Sequence, residues 1–177
     1  MARTIRKAAG RNPGALGVAV LAVAVLAAST AGVAAAGWLG DLFRPSPPDA
    51  AKAAGVTETA EAVTIPLKAL DSGNALFLST ESEGRRLYYF ALKSSDGKYR
   101  AALDACDVCF RMNRGYRQEG DQVVCNNCGM KFPCDRIGEA KGGCNPHPLP
   151  FRIEGVHMVI RKADIASGKE YFPRRRN

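Results

Sequence analysis

Six cysteines fall between positions 106 and 144 of a 177-residue chain, and four of them form two C-x2-C pairs, Cys106-Asp107-Val108-Cys109 and Cys125-Asn126-Asn127-Cys128. Such a pair sets two thiolates on one tight turn, where both reach the same metal. A second turn brought alongside completes four sulfurs about one centre. Fifteen residues separate the pairs. A hairpin from Tyr116 to Val124 returns its two ends to one place and would hold the knuckles side by side. Gly129, directly after the second pair, suits a knuckle whose backbone takes positive φ. Cys134 and Cys144 lie downstream. Cys144 sits in the sharp turn Gly142-Gly143-Cys144-Asn145-Pro146, whose glycines let the backbone approach closely and offer amides to sulfur.

This spacing identifies a shared centre and leaves its content open. Structural zinc, an iron–sulfur cluster and disulfides all use these donors. Disulfides within either pair would close very small rings, so only cross-links between the pairs are compatible with that reading. A c-type haem needs His straight after the second cysteine, but Phe110 follows Cys109 and Gly129 follows Cys128. No βαβ pattern accompanies the pairs, which excludes a thioredoxin-like site. The chain has two histidines. His147, between Pro146 and Pro148, reads as a solvent-exposed turn residue, and His157 as a structural or exposed residue of an alternating strand. Asp104 and Asp107 flank Cys106 and read as turn caps. No Ser/His/Asp set, phosphate-cradling glycine loop or paired-carboxylate site can be assembled, so the chain reads as a protein that is not an enzyme.

Residues 14–40 carry no charge and are apolar on every face. A surface helix would keep a polar stripe, so this segment reads as sitting in lipid. As a helix, residues 14–39 would span about 39 Å, enough to cross a bilayer core with tilt. Trp38 falls at the far end, at headgroup level. The alternative is a cleaved signal peptide, with Ala34-Ala35-Ala36 as the small-residue site. Either way Arg3, Arg6, Lys7 and Arg11 in segment 1–13 stay cytoplasmic, and the rest faces the periplasm or the cell exterior. The formal net charge of +8 is concentrated at the ends, in those four residues and in Arg174-Arg175-Arg176 of the tail 174–177. A nucleic-acid groove needs its charge on the folded domain, so nucleic acid is excluded as a partner. Residues 41–60 read as a linker, because Arg44-Pro45-Ser46-Pro47-Pro48-Asp49 favours extended polyproline geometry.

Residues 61–173 predict a mostly β domain, a small antiparallel barrel or sandwich. Val63-Thr64-Ile65 and Ala75-Leu76-Phe77-Leu78 are short strand signals. Arg86-Leu87-Tyr88-Tyr89-Phe90-Ala91-Leu92 is apolar on both faces, as a central strand would be. The turn Ser94-Ser95-Asp96-Gly97-Lys98 predicts a hairpin to Tyr99-Arg100-Ala101-Ala102-Leu103. Glu119-Gly120-Asp121 leads into Gln122-Val123-Val124, and Glu154-Gly155 separates Phe151-Arg152-Ile153 from Val156-His157-Met158-Val159-Ile160. Lys68-Ala69-Leu70 and Ala163-Asp164-Ile165-Ala166-Ser167 each suit one helical turn.

Leu103-Asp104-Ala105-Cys106-Asp107-Val108-Cys109, Gly115-Tyr116, Val124-Cys125-Asn126-Asn127-Cys128-Gly129 with Phe132 and Ile137, and Gly142-Gly143-Cys144-Asn145-Pro146 together resemble the FtrD-like membrane iron–sulfur family. Its members accompany bacterial ferrous-iron transport systems. The resemblance implies Cys106, Cys109, Cys125, Cys128 and Cys144 as the ligand set, with Cys144 a fifth ligand or a close neighbour of the centre. Cys134 is an addition to the family pattern. It implies an iron–sulfur cofactor, an electron-transfer role in iron transport, and a permease or redox subunit as partner in the inner membrane. The alternatives are a structural zinc-binding interaction module and a thiol-based metal carrier. A looser resemblance to Rieske-type domains puts Cys109 and Cys128 where those domains use His; all-thiolate ligation would lower the potential.

Overall fold

A computed structural model describes residues 47–173 of the chain. The proposed span 14–40 and the basic tail 174–177 lie outside the described residues. No described helix is long and apolar enough to cross a membrane.

Among the described residues, ten short strands make three antiparallel sheets. The first contains β1 (Thr57–Glu58), β2 (Ala62–Pro66), β9 (Arg152–Glu154) and β10 (His157–Arg161), in the order β1-β2-β10-β9. It pairs the first strands of the domain with the last, so that Ile65 faces Met158 and Val63 faces Ile160. The second contains β3 (Leu76–Ser82), β4 (Arg85–Lys93) and β5 (Tyr99–Leu103), in that order. The third contains β6 (Tyr116–Glu119), β7 (Gln122–Cys125) and β8 (Lys131–Pro133). Two short helices, α1 (Pro47–Ala53) and α2 (Lys162–Ser167), flank the strands.

The second sheet separates two hydrophobic clusters. Successive side chains of a strand point to opposite faces, so a strand apolar on both faces can serve two cores. Leu87, Tyr89 and Ala91 of β4, with Ala101 and Leu103 of β5, join Val63, Ile65, Met158 and Ile160 of the first sheet and Ile165 of α2. Phe90, Leu92 and Ala102 turn the other way. They join Tyr116, Val123, Cys125 and Phe132 of the third sheet, together with Cys106, Cys134 and Ile137. Arg100 is buried in the same strand and is satisfied on all sides. It donates to Ser94 Oγ and Ile137 O and pairs with Asp96 and Glu139 at 2.9 and 3.0 Å. The β4–β5 turn and the loop after β8 are thereby joined through one guanidinium.

Two expectations are corrected. The sheets do not close into a barrel. Beyond β5 the edge is met by the short segment 147–149, with Leu103 N–H donating to His147 O at 2.8 Å and Leu149 N–H to Ala101 O at 3.2 Å, and β5 pairs with no strand of the other two sheets. Residues 47–53 form a helix, whose first three residues belong to the Arg44–Asp49 run expected to be extended. Proline is tolerated in the first helical turn, whose N–H groups have no partner, and the alanines behind it propagate the helix well. Ala51 and Val56 pack against the first cluster, so core packing begins ahead of residue 61.

Candidate metal centre

The first knuckle leaves β5 directly. Asp104 N–H donates to Tyr88 O at 2.9 Å, Cys106 is buried and Cys109 half-buried, and a 3-10 turn over Phe110–Met112 ends at Asn113 in the left-handed region. The chain re-enters β6 at Gly115, with φ +58°. A Cβ there would lie 2.3 Å from Asp104 Oδ2, so only glycine fits beneath that carboxylate. Asp104 Oδ1 in turn accepts Tyr116 N–H at 2.6 Å. Asp104 thus closes the loop that holds the first pair, the cap role its position suggests.

The second knuckle leaves β7. Cys125 N–H donates to Met130 O and Gly129 N–H to Cys125 O, both at 2.9 Å. Gly129 has φ +74°, as its place after the pair requires. Asn126 N–H donates to Gly115 O at 3.0 Å, and Asn126 Nδ2 to Arg114 O at 2.9 Å, stitching the knuckles together. Asn127 Nδ2 donates to Cys109 Sγ at 3.3 Å, a contact that no motif announces. The third contributor is the turn at Cys144, whose carbonyl accepts the Tyr116 hydroxyl at 2.7 Å.

Five sulfurs converge. Those of Cys106, Cys109 and Cys144 lie within 4.8 Å of one another, as do those of Cys109, Cys125 and Cys128, so Cys109 belongs to both groups. Cys144 Sγ is 3.6 Å from Cys128 Sγ and 3.8 Å from Cys109 Sγ. A tetrahedral ion with metal–sulfur bonds of about 2.3 Å sets its sulfurs about 3.8 Å apart, so neighbouring thiolates here can share an ion. All six cysteines are free thiols, and no disulfide links the knuckles. The donor set is wholly thiolate, which fits iron in a cluster as well as zinc. An iron–sulfur cluster takes four cysteines, one fewer than converge here.

The sulfurs are not equivalent. Cys128 is exposed, and the Met130 amide lowers its thiol to about 7. Burial raises Cys125 to about 11. Burial, reinforced by the Cys128 and Cys109 sulfurs beside it, pushes the Cys144 thiol well above its ordinary value. A cluster of thiols that resist ionising together is relieved by a cation, which replaces the protons. The amides that reach sulfur belong to the knuckles, with Cys109 N–H donating to Cys106 Sγ at 3.1 Å. Gly142 has a different part from the one expected. Its carbonyl accepts Asn145 N–H and Asn145 Nδ2 at 3.3 and 2.9 Å and closes the Cys144 turn.

A residue remote in sequence clamps two of the cysteine loops. Tyr171 donates its hydroxyl to Asp107 Oδ1, lies 3.1 Å from His147 Nδ1, and packs edge-on against Phe110 with ring centroids 5.6 Å apart. His147 is therefore held against Tyr171, and its backbone pairs with Ala105 and Leu103. Cys134 stands apart from both sulfur groups. It is buried in the second cluster beside Gln118, whose Nε2 lies 3.8 Å from its sulfur, and burial raises its thiol to about 11. His157 takes its place in β10 opposite Glu154 and Pro66.

Three small sheets with thiol-bearing loops define a class, a mostly β protein with a cysteine-rich metal-binding centre. Within that class, the model of one family, described as "Membrane iron-sulfur containing protein FtrD-like", matches residues 70–172. The match covers more than half of the chain, and the chain belongs to that family. No curated protein and no solved structure shows a match to it.

Proposed function

We propose that this chain is a membrane-anchored iron–sulfur protein that passes electrons in a ferrous-iron transport system and catalyses no reaction of its own. The observation that carries the reading is the convergence of five thiols, four of them on the two knuckles, with one sulfur exposed and the others drawn inward. Membership of a membrane iron–sulfur family supports it. Cys106, Cys109, Cys125 and Cys128 are the first-choice ligands of the cluster, Cys144 is a fifth ligand or a close neighbour of it, and Cys134 stands apart. When bound, the cluster supplies a reversible one-electron couple. The chain's part is to bury the Cys106 and Cys125 sulfurs and half-bury those of Cys109 and Cys144, to donate hydrogen bonds to them, and to leave Cys128 at the surface. Amide donors to thiolate sulfur raise a potential that all-cysteine ligation keeps low. Residues 14–40 are the membrane anchor, residues 1–13 stay in the cytoplasm, and the domain faces the periplasm or the cell exterior beside a permease or redox subunit.

The test is to purify the full chain without oxygen and measure iron, zinc, acid-labile sulfide and visible absorption. A brown protein with sulfide, bleached by dithionite, is expected. Colourless protein with one zinc and no sulfide would replace this reading with a structural zinc module. Loosely held metal without sulfide would replace it with a metal carrier. A C-terminal reporter active only in the cytoplasm should stay dark.

A further inference from the structure

We infer that the knuckle edge around Cys128 is the docking face for an electron-carrier protein whose own contact patch is apolar and ringed with carboxylates. The inference rests on the electron-transfer reading above and supplies its partner. Electron exchange between proteins falls steeply with distance, so a partner must dock where the centre comes nearest to solvent. Cys106 and Cys125 are buried, whereas Cys128 is exposed. That edge is also where large apolar side chains stand in water. Val108 is 62% exposed, Met112 54% and Met130 52%. Each lies within three residues of Cys109 or Cys128, and the Asn126 and Asn127 hydrogen bonds hold the two knuckles together. Flexible methionines and an apolar centre are the composition of an adaptable contact surface.

Charge selects the partner. Arg111 and Arg114 lie on the same knuckle, both exposed, and neither enters an ion pair among the described residues. Of the acidic neighbours, Glu119 is paired with Arg117 and Lys131, while Asp107 accepts the Tyr171 hydroxyl and keeps its charge. The rim therefore presents the Arg111 and Arg114 guanidinium groups against the single free carboxylate of Asp107, a positive balance that speeds encounter with an acidic surface and repels a basic one.

Binding can be measured without electron flow, using the full chain in detergent micelles loaded with zinc. The probes are an acidic flavodoxin and a basic cytochrome c, followed by amide chemical shifts. Flavodoxin should perturb residues 108–114 and 126–131, and cytochrome c should not. R111E/R114E should weaken flavodoxin binding about tenfold at low salt. K52E/K68E makes the same change in net charge on the opposite half and should leave binding unchanged. Equal responses to both probes, shifts centred elsewhere, or equal effects of the two double variants would overturn the proposal. So would phosphatidylglycerol bicelles perturbing these amides more strongly than flavodoxin, which would make the face lipid-directed. Because zinc carries no electron, these outcomes judge the docking face alone. A native centre that dithionite cannot reduce would overturn the electron-transfer reading alone.

Discussion

On one face of the central sheet Leu87, Tyr89 and Leu103 meet Val63, Ile65, Met158 and Ile160, all aliphatic or aromatic and all at most 1% exposed. On the other face Phe90, Leu92 and Ala102 meet a third sheet of three- and four-residue strands, with Cys106, Cys125 and Cys134 among the buried residues. The first side is an ordinary apolar core and needs nothing further to hold it. The second has fewer large aliphatics, and its loops end on thiols that repel one another once ionised. One half of the domain is thus held by apolar packing alone, and on the proposed reading the other is completed by the metal its thiols would hold.

The sharpest way to break this contrast is to strip the metal. Chelation should raise amide exchange rates in β6–β8 by on the order of a hundredfold or more while β4 and β10 stay protected, read by hydrogen exchange. Uniform loss of protection would show that the halves fold as one. The next effect separates the sulfurs. Cys109→Ser should cost most of the bound metal, because Cys109 belongs to both sulfur groups, while Cys134→Ser should keep it, measured by elemental analysis. Equal metal content in the two variants would refute the partition. On the aliphatic side, Leu87→Ala should lower unfolding stability by about 3 kcal/mol in urea, with metal content unchanged. The smallest effect is one of pH. In metal-free protein the reactive thiolate of Cys128 forms near pH 7, below its ordinary range, so alkylation should plateau above that point. Below it the rate should fall about tenfold per pH unit. Cys125 should react only at much higher pH, since burial opposes its ionisation. Mass spectrometry of the labelled cysteines distinguishes the two profiles.

Much of the aliphatic half was legible from alternation alone. The run around Tyr89 and Phe90 is apolar on both faces, and β4 serves a core on each side. Turns at Gly97, Gly120 and Gly155 fall where the residues demand them. The third sheet was only half visible. β8 contributes one buried side chain, Phe132, between two exposed residues, too little for any periodicity to register. The helix at 47–53 was hidden because local proline chemistry permits two outcomes and packing of Ala51 decides between them. At the site, each knuckle can be read from its spacing, as can the glycine that closes the second. The fit of Asp104 over Gly115 and the reach of Tyr171 across 64 residues to Asp107 are tertiary facts with no local signal.

The last strand of the domain, β10, lies between β2 and β9 in the middle of its sheet. A chain that emerges from its amino end therefore releases every cysteine before the segment that completes this sheet exists. For some interval during synthesis, the six thiols stand ahead of an unfinished scaffold, open to oxidants and stray ions. The order of the strands thus makes timing part of maturation: delivery of the correct metal must compete with oxidation before residues 157–161 arrive to seal the sheet.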